Sequence, residues 1–178
     1  MKFHKHDHKF NYIRIKKEQI FISSPMAVAA RKASVELLLS NHSKDCQTCV
    51  KNGRCELLHV AQITGAESGK FEGAKTPTTL DEAAPGIIRD TSKCILCGRC
   101  IVKCKEAQGI GILGFENRGF KTIVGPAENR SFNEVPCIQC GQCVQVCPTG
   151  ALSEHSEIPL VDKAMAEGKK VIVQTAPA

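Results

Sequence analysis

Aromatic side chains are scarce in this chain. Its 178 residues include no Trp, one Tyr and seven Phe, 4% aromatic in all. With 42% hydrophobic residues a core is within reach, but aliphatic side chains and something other than rings must fill it. Long apolar runs are missing as well. In the first fifty residues the longest stretch free of Asp, Glu, Lys and Arg is Gln19 to Ala30, twelve residues. That is too short to span a bilayer, and no clean secretory signal is visible. No membrane span is expected. Charge and apolar content are both ordinary, which excludes a disordered chain. No Ser–His–Asp arrangement, catalytic carboxylate pair or phosphate cradle is visible, so catalysis by the chain alone is not expected. Cysteine, by contrast, is abundant, with eleven in all. An odd number does not close into disulfides, and a chain expected in the cytoplasm keeps its thiols reduced. Metal is the remaining use for them.

The formal net charge is +6. Residues 1–32 hold eight Lys/Arg against two Asp/Glu, and residues 33–178 hold sixteen of each, so a basic arm joins a neutral body. Such an arm reads either as a docking segment for an acidic partner or as a solvated tail. No aromatic-interleaved basic face accompanies it, so nucleic acid is not an expected partner. His4, His6 and His8 alternate with Lys5 and Asp7 without forming a ligand pattern specific enough to assign.

Tyr12 to Ile22 is rich in β-branched residues and reads as one or two short strands. Ser24-Pro25 is a helix start, with Ser24 as N-cap and Pro25 in the first turn. Met26, Ala30, Ala33 and Leu37 then mark one apolar face. This helix should end near Ser40-Asn41, leaving His42 just beyond it. A second helix is expected from Cys55 to Gln62, stopped by Gly65. Residues 65–91, rich in Gly, Pro, Thr and Ala, read as a segment that wraps rather than packs. Gly111 to Val124 suggests a β-hairpin centred on Asn117-Arg118-Gly119. Val161 to Glu167 reads as a short helix closed by Gly168. The strand-like run from Lys170 reads as the first element of a further domain. The expected organisation is a basic arm over 1–24, a small helical domain over 25–68 and a linker over 69–91. A ferredoxin-like domain over 92–158 and a tail over 159–178 follow, giving an α+β fold.

The chemistry lies in a duplication. Cys94, Cys97, Cys100 and Cys104 recur 43 residues later as Cys137, Cys140, Cys143 and Cys147. Both runs read C-x2-C-x2-C-x3-C. Three cysteines so spaced present three thiolates to one cuboidal 4Fe–4S cluster, and the fourth ligates the other cluster. This assigns Cys94, Cys97, Cys100 and Cys147 to one cluster, and Cys104, Cys137, Cys140 and Cys143 to the second. Gly98 and Gly141 follow the second cysteine of each run, where a missing Cβ lets backbone N–H groups approach. Structural zinc prefers separated cysteine pairs and leaves the third cysteine without a role. Pro148 follows the last cysteine of the second run, whereas Lys105 follows Cys104, a departure that removes no ligand.

Cys46, Cys49 and Cys55 remain, one short of a cubane. His42 lies four residues before Cys46, giving H-x3-C-x2-C-x5-C. Eleven cysteines and one histidine then make three sets of four, hence three 4Fe–4S clusters. A Cys3His zinc knuckle is the competitor at this first site. Exchanging a thiolate for neutral imidazole removes a negative charge and should ease reduction there. His59 and His155 have no such claim. Gly109-x-Gly111-x-x-Gly114 matches a dinucleotide fingerprint but lacks its strand–turn–helix context. Asn41-His-Ser43 and Asn129-Arg-Ser131 match glycosylation sequons, which are without meaning in a cytoplasmic chain.

The combination of His42, Cys46, Cys49 and Cys55 with the two cysteine runs resembles the accessory-cluster region of iron-only (FeFe) hydrogenases. Ala29-Ala-Arg-Lys, Leu37-Leu-Leu-Ser-Asn-His42, Gly53-x-Cys55-Glu-Leu, Gly114-Phe, Arg118-Gly-Phe120 and Val173-Gln-Thr-Ala-Pro-Ala178 extend the likeness to residues 20–178. NADH dehydrogenase large subunits and some formate dehydrogenases share the His/Cys3 site and similar ferredoxin modules. The resemblance implies an electron relay without the 2Fe–2S and catalytic domains of that hydrogenase family. It implies as partners a hydrogenase catalytic domain or subunit, and a soluble ferredoxin or a flavin/NAD(P)-linked subunit. The cluster on Cys104, Cys137, Cys140 and Cys143 would lie nearest the catalytic domain, with the His42 cluster more peripheral. A free-standing polyferredoxin and a zinc-bearing structural protein are the rival readings.

Overall fold

The computed structural model describes residues 22–175. The strands expected over Tyr12–Ile22, apart from the last residue, and His4, His6 and His8 lie outside the described residues.

Helix α1 runs Pro25–Asn41. Ser24 caps it in an extended conformation, its hydroxyl accepting from the Ala27 N–H at 3.3 Å. Extended backbone at His42 ends it. Helix α2 spans Glu56–Thr64, with Cys55 as N-cap and Gly65 in the left-handed region at φ 62°. The Gly65 and Ala66 N–H groups close the last turn on Gln62 and Ala61, as a glycine-terminated helix requires. The buried face of α1 differs from the expected one. Met26, Ala30 and Leu37 are exposed, whereas Val35 packs with Leu57 and Ala61 of α2, with Leu39 alongside. Apolar periodicity cannot say which stripe a short neighbour will cover, and α2 reaches only the second half of α1. Glu36 joins the buried stripe at 1% exposure, beside Lys70 at 3.0 Å and Lys32 at 3.8 Å. Burial raises its carboxyl pKa, but the Lys70 and Lys32 ammonium groups outweigh this and lower it.

Strands β1 (Leu80–Asp81) and β2 (Ile87–Asp90) come from the segment expected to wrap without packing. They form an antiparallel sheet ordered β1-β2-β5 with β5 (Leu152–Glu154), in register Asp81↔Arg89 and Arg89↔Leu152. Ala84 and Ile87 of the same segment are fully buried. Its Gly- and Pro-rich composition suggests a wrap because a four-residue central strand is too short to show a period.

Helix α3 spans Arg99–Gln108 and packs on α4, Gln142–Val146. Between them the hairpin of β3 (Gly114–Glu116) and β4 (Ile123–Gly125) pairs Phe115 with Val124. Asn117 at φ 64° and a 3-10 turn over Gly119–Lys121 make its connection. Ala84, Ile87, Leu113, Phe132, Cys143 and Leu152 form the core, with four further cysteines packed against it. Helix α5 is Ile158–Ala166, starting three residues before the expected position because Pro159 suits a first turn. Residues 170–175 form no strand, having no partner among the described residues. The chain is thus a mixture of helices and two small sheets. No helix among the described residues is long and apolar enough to cross a membrane.

Candidate metal centres

The duplicated cysteine runs fold alike. Leu96 and Gln139 both have φ 55°, and Gly98 and Gly141, the N-caps of α3 and α4, have φ 72° and 71°. Each C-x2-C loop therefore enters the left-handed region twice, once at a residue with a Cβ, which costs about 1–2 kcal/mol. The return is a backbone donor aimed at sulfur. The Leu96 N–H donates to Cys94 Sγ at 3.4 Å, and the Gln139 backbone in the second loop lowers the Cys137 thiol pKa against the rise that burial imposes. Neither residue is apparent from sequence, because a leucine and a glutamine say nothing of left-handed backbone. Only their equivalent places in the repeat hint at a role.

Cys100 and Cys104 lie one turn apart on α3, and Cys143 and the C-cap Cys147 one turn apart on α4. An i, i+4 step carries the fourth cysteine about 6 Å along the axis beyond the third and onto much the same face. The helices pack so that each fourth cysteine faces the other repeat's loop. Cys94, Cys97, Cys100 and Cys147 line one cavity, largely apolar. Cys104, Cys137, Cys140 and Cys143 line a second. Leu113 stands in the wall of both, so the cavities are neighbours.

Electrostatics defines what fits there. Burial first, then the neighbouring thiols, push the Cys100 and Cys143 pKa values up to about 12. Cys94 and Cys137 are raised by the same burial. Thiols such as Cys100 and Cys143, held protonated by burial, will ionise only for a cationic guest. A polynuclear iron centre supplies that charge, and the residues present fit it.

The first site is arranged differently. His42 follows α1, Cys46 is exposed, and Cys49 and Cys55 are half-buried. Neither four-cysteine cavity includes His42, Cys46, Cys49 or Cys55. His42 Nδ1 is buried with no hydrogen-bond partner, and burial lowers the imidazole pKa despite Asp45 and Asp90. A neutral imidazole with an orphaned nitrogen is the form that ligates metal. The loop is docked on the cysteine-run segment: the Ser43 N–H donates to Ser92 O at 3.1 Å and the Glu56 N–H to Pro148 O at 3.0 Å. Lys93 spans Asp45 at 3.4 Å and Asp90 at 3.0 Å. A Cβ at Gly150 would stand 2.8 Å from Cys49 Sγ and 3.3 Å from Lys93 Cδ. Gly150→Ala is therefore expected to destabilise by about 1–3 kcal/mol through overpacking. It should also disturb the spectrum of the His42 site alone, as denaturation and EPR of the reduced protein would register.

Residues 31–69 match the iron–sulfur binding region of NADH-ubiquinone oxidoreductase-G, and residues 93–151 match the 4Fe-4S dicluster domain. Both segments are iron–sulfur domains. Over 150 residues the chain is 46% identical to the NADP-reducing hydrogenase subunit HndD of Solidesulfovibrio fructosivorans, a match covering 84% of this chain and 26% of that one. It is 30% identical over 135 residues to the NADH-ubiquinone oxidoreductase 75 kDa subunit of Reclinomonas americana, covering 76% and 19%. The chain thus spans about a quarter or less of these curated relatives. The crystal structure of an NAD+-reducing NiFe-hydrogenase in the H2-reduced state shares the fold, with TM-score 0.68 and 24% identity over 76% of this chain and 58% of that one. The likeness to iron-only hydrogenases is accordingly broadened to an iron–sulfur region of the kind found in hydrogenase and NADH dehydrogenase subunits. 4Fe–4S clusters are the cofactors of these domains.

Proposed function

We propose that the chain is a three-cluster electron relay serving a hydrogenase catalytic domain or subunit. The observation that carries this reading is the pair of adjacent cavities, each walled by four cysteines drawn from both repeats. A bound 4Fe–4S cluster supplies a one-electron carrier that needs no bond-breaking from the protein. The chain's residues do the rest. Eight cysteines hold two clusters, and His42, Cys46, Cys49 and Cys55 hold the third. The Leu96 N–H steadies the Cys94 sulfur, and Ile87, Leu113, Phe132 and Leu152 keep water away. The hydrogenase assignment is supported by the 46% identity to the HndD subunit. A soluble ferredoxin or a flavin/NAD(P)-linked subunit would then be the other terminus of the relay, in the cytoplasm. The match of residues 31–69 favours a second reading, the iron–sulfur part of an NADH dehydrogenase.

Iron, acid-labile sulfide and zinc per chain after anaerobic purification test the relay. About twelve iron and twelve sulfide are expected from three cubanes. About eight iron with one zinc would reduce the His42 set to a structural knuckle, and zinc alone would end the reading. His42→Cys should retain the iron but lower one reduction midpoint, since a thiolate adds negative charge. Unmoved midpoints would remove His42 from the ligand set. Cluster reduction by H2 with a hydrogenase catalytic subunit, against reduction by NADH with a flavoprotein, separates the two partner readings.

A further inference from the structure

Arg89 occupies the central strand β2 and is 2% exposed. Its Nη1 donates to Asn129 Oδ1 at 2.8 Å and Val124 O at 3.3 Å, and its Nη2 to Arg130 O at 3.4 Å. Its Nε has no partner. Every acceptor is neutral. Asp81 faces Arg89 across the β1–β2 register and its carboxylate acts on the guanidinium through space, but its hydrogen bonds are made elsewhere. It accepts from Ser131 Oγ at 2.7 Å, the Phe132 N–H at 3.0 Å and the Ala83 N–H at 3.3 Å. No carboxylate forms an ion pair with Arg89 among the described residues. The fold makes room for the guanidinium at Gly125, where a Cβ would overlap Nη1.

A buried cation hydrogen-bonded only to neutral acceptors, with Asp81 out of ion-pair range, gains from any further negative charge placed nearby. Arg89 lines the cavity of Cys94, Cys97, Cys100 and Cys147. No charged side chain lines the cavity of Cys104, Cys137, Cys140 and Cys143. The duplication supplies the same ligands to both, so this guanidinium is the asymmetry between them. Lys93 and Arg99, also near the first cavity in sequence, are already paired with Asp45 and Asp90 and with Glu56.

We propose that Arg89 is the built-in counter-charge of the first cavity, raising the reduction potential of a cluster on Cys94, Cys97, Cys100 and Cys147 above that of its identically ligated neighbour. An electron added to the pair therefore resides beside Arg89. The inference rests on the relay reading. Reduction adds one negative charge to a cluster, which a nearby fixed positive charge stabilises more in the reduced form than in the oxidised form. Dithionite supplies that electron in the test, and the guanidinium stays protonated throughout, so no proton moves.

Two variants remove the charge in different ways. Arg89→Gln deletes it. Asn129→Asp keeps the shape and sets a carboxylate at the 2.8 Å contact, cancelling it. Anaerobic EPR-monitored redox titration should show both lowering the midpoint of one and the same cluster, the one abolished in Cys94→Ala. The reduction equilibrium should fall about tenfold, which is about 59 mV for one electron. The other two midpoints stay in place, and Arg89→Lys keeps the wild-type value. Unmoved midpoints in Asn129→Asp with full iron content overturn the proposal, as does a shift shared equally by all clusters. Should Arg89→Gln fail to take up iron, Asn129→Asp decides. A wild-type chain without iron would instead sink the relay reading, and this proposal with it.

Discussion

Cys147→Ala and Cys94→Ala, far apart in the chain, should damage the same iron–sulfur centre. Cys104→Ala should damage the one lost in Cys137→Ala. Each substitution removes one of four thiols lining its cavity, so the affected cluster is lost or degraded. Iron falls by about one to four per chain, depending on whether a three-iron remnant survives. EPR of the reduced variants identifies the missing component. Were Cys147→Ala to remove the component lost in Cys137→Ala, each repeat would hold its own cluster, and the packing of α3 on α4 would have another purpose.

Stripping the iron should abolish the cooperative melting transition of residues 80–154. The core there is small: Ala84, Ile87, Leu113, Phe132 and Leu152, with Cys143. A segment of this size is marginal on hydrophobic burial alone, and a net stability of about 5–15 kcal/mol is easily lost. Without iron, eight thiols face apolar space, and two of them have pKa values pushed up to about 12. Metal binding and folding are then one equilibrium. Circular dichroism melts of the loaded and stripped protein provide the check. A stripped chain melting within a few degrees of the loaded one would mean that the clusters are guests in a preformed fold.

Local features of this chain are readable from sequence because their causes are local. Ser24 and Pro25 start α1, Gly65 stops α2, and the helix bounds follow within a residue or two. The 4Fe–4S chemistry is readable for a similar reason, since cysteine spacing within one loop brings three thiols to one cluster. Features decided at a distance are not readable. The buried stripe of α1 depends on where α2 lands, which moves it from Met26 and Leu37 to Val35 and Leu39. Strand β2 is defined by partners on either side, one of them more than sixty residues away. Arg89 lies in a stretch that reads as a wrap, and Asn129 stands out only as part of a sequon. Their hydrogen bond joins positions forty residues apart. The first site shows a different limit. His42, Cys46, Cys49 and Cys55 are close in sequence, yet neither four-cysteine cavity contains them, and the contacts that dock their loop come from Ser92, Lys93 and Pro148, far along the chain.

The crossing of the fourth cysteines also sets a timetable for biosynthesis. Residues leave the ribosome from the N-terminus onward. When Cys94, Cys97, Cys100 and Cys104 have emerged, the first cavity still lacks Cys147, and the second lacks everything but Cys104. Neither can close until nearly the whole duplication has been made. The two compartments then become complete within a few residues of each other, at Cys143 and Cys147. On the crossed ligation proposed above, iron delivery to this pair would be a late event for the nascent chain. A polypeptide arrested between the repeats would present unmatched thiols to the cell rather than half of a working module.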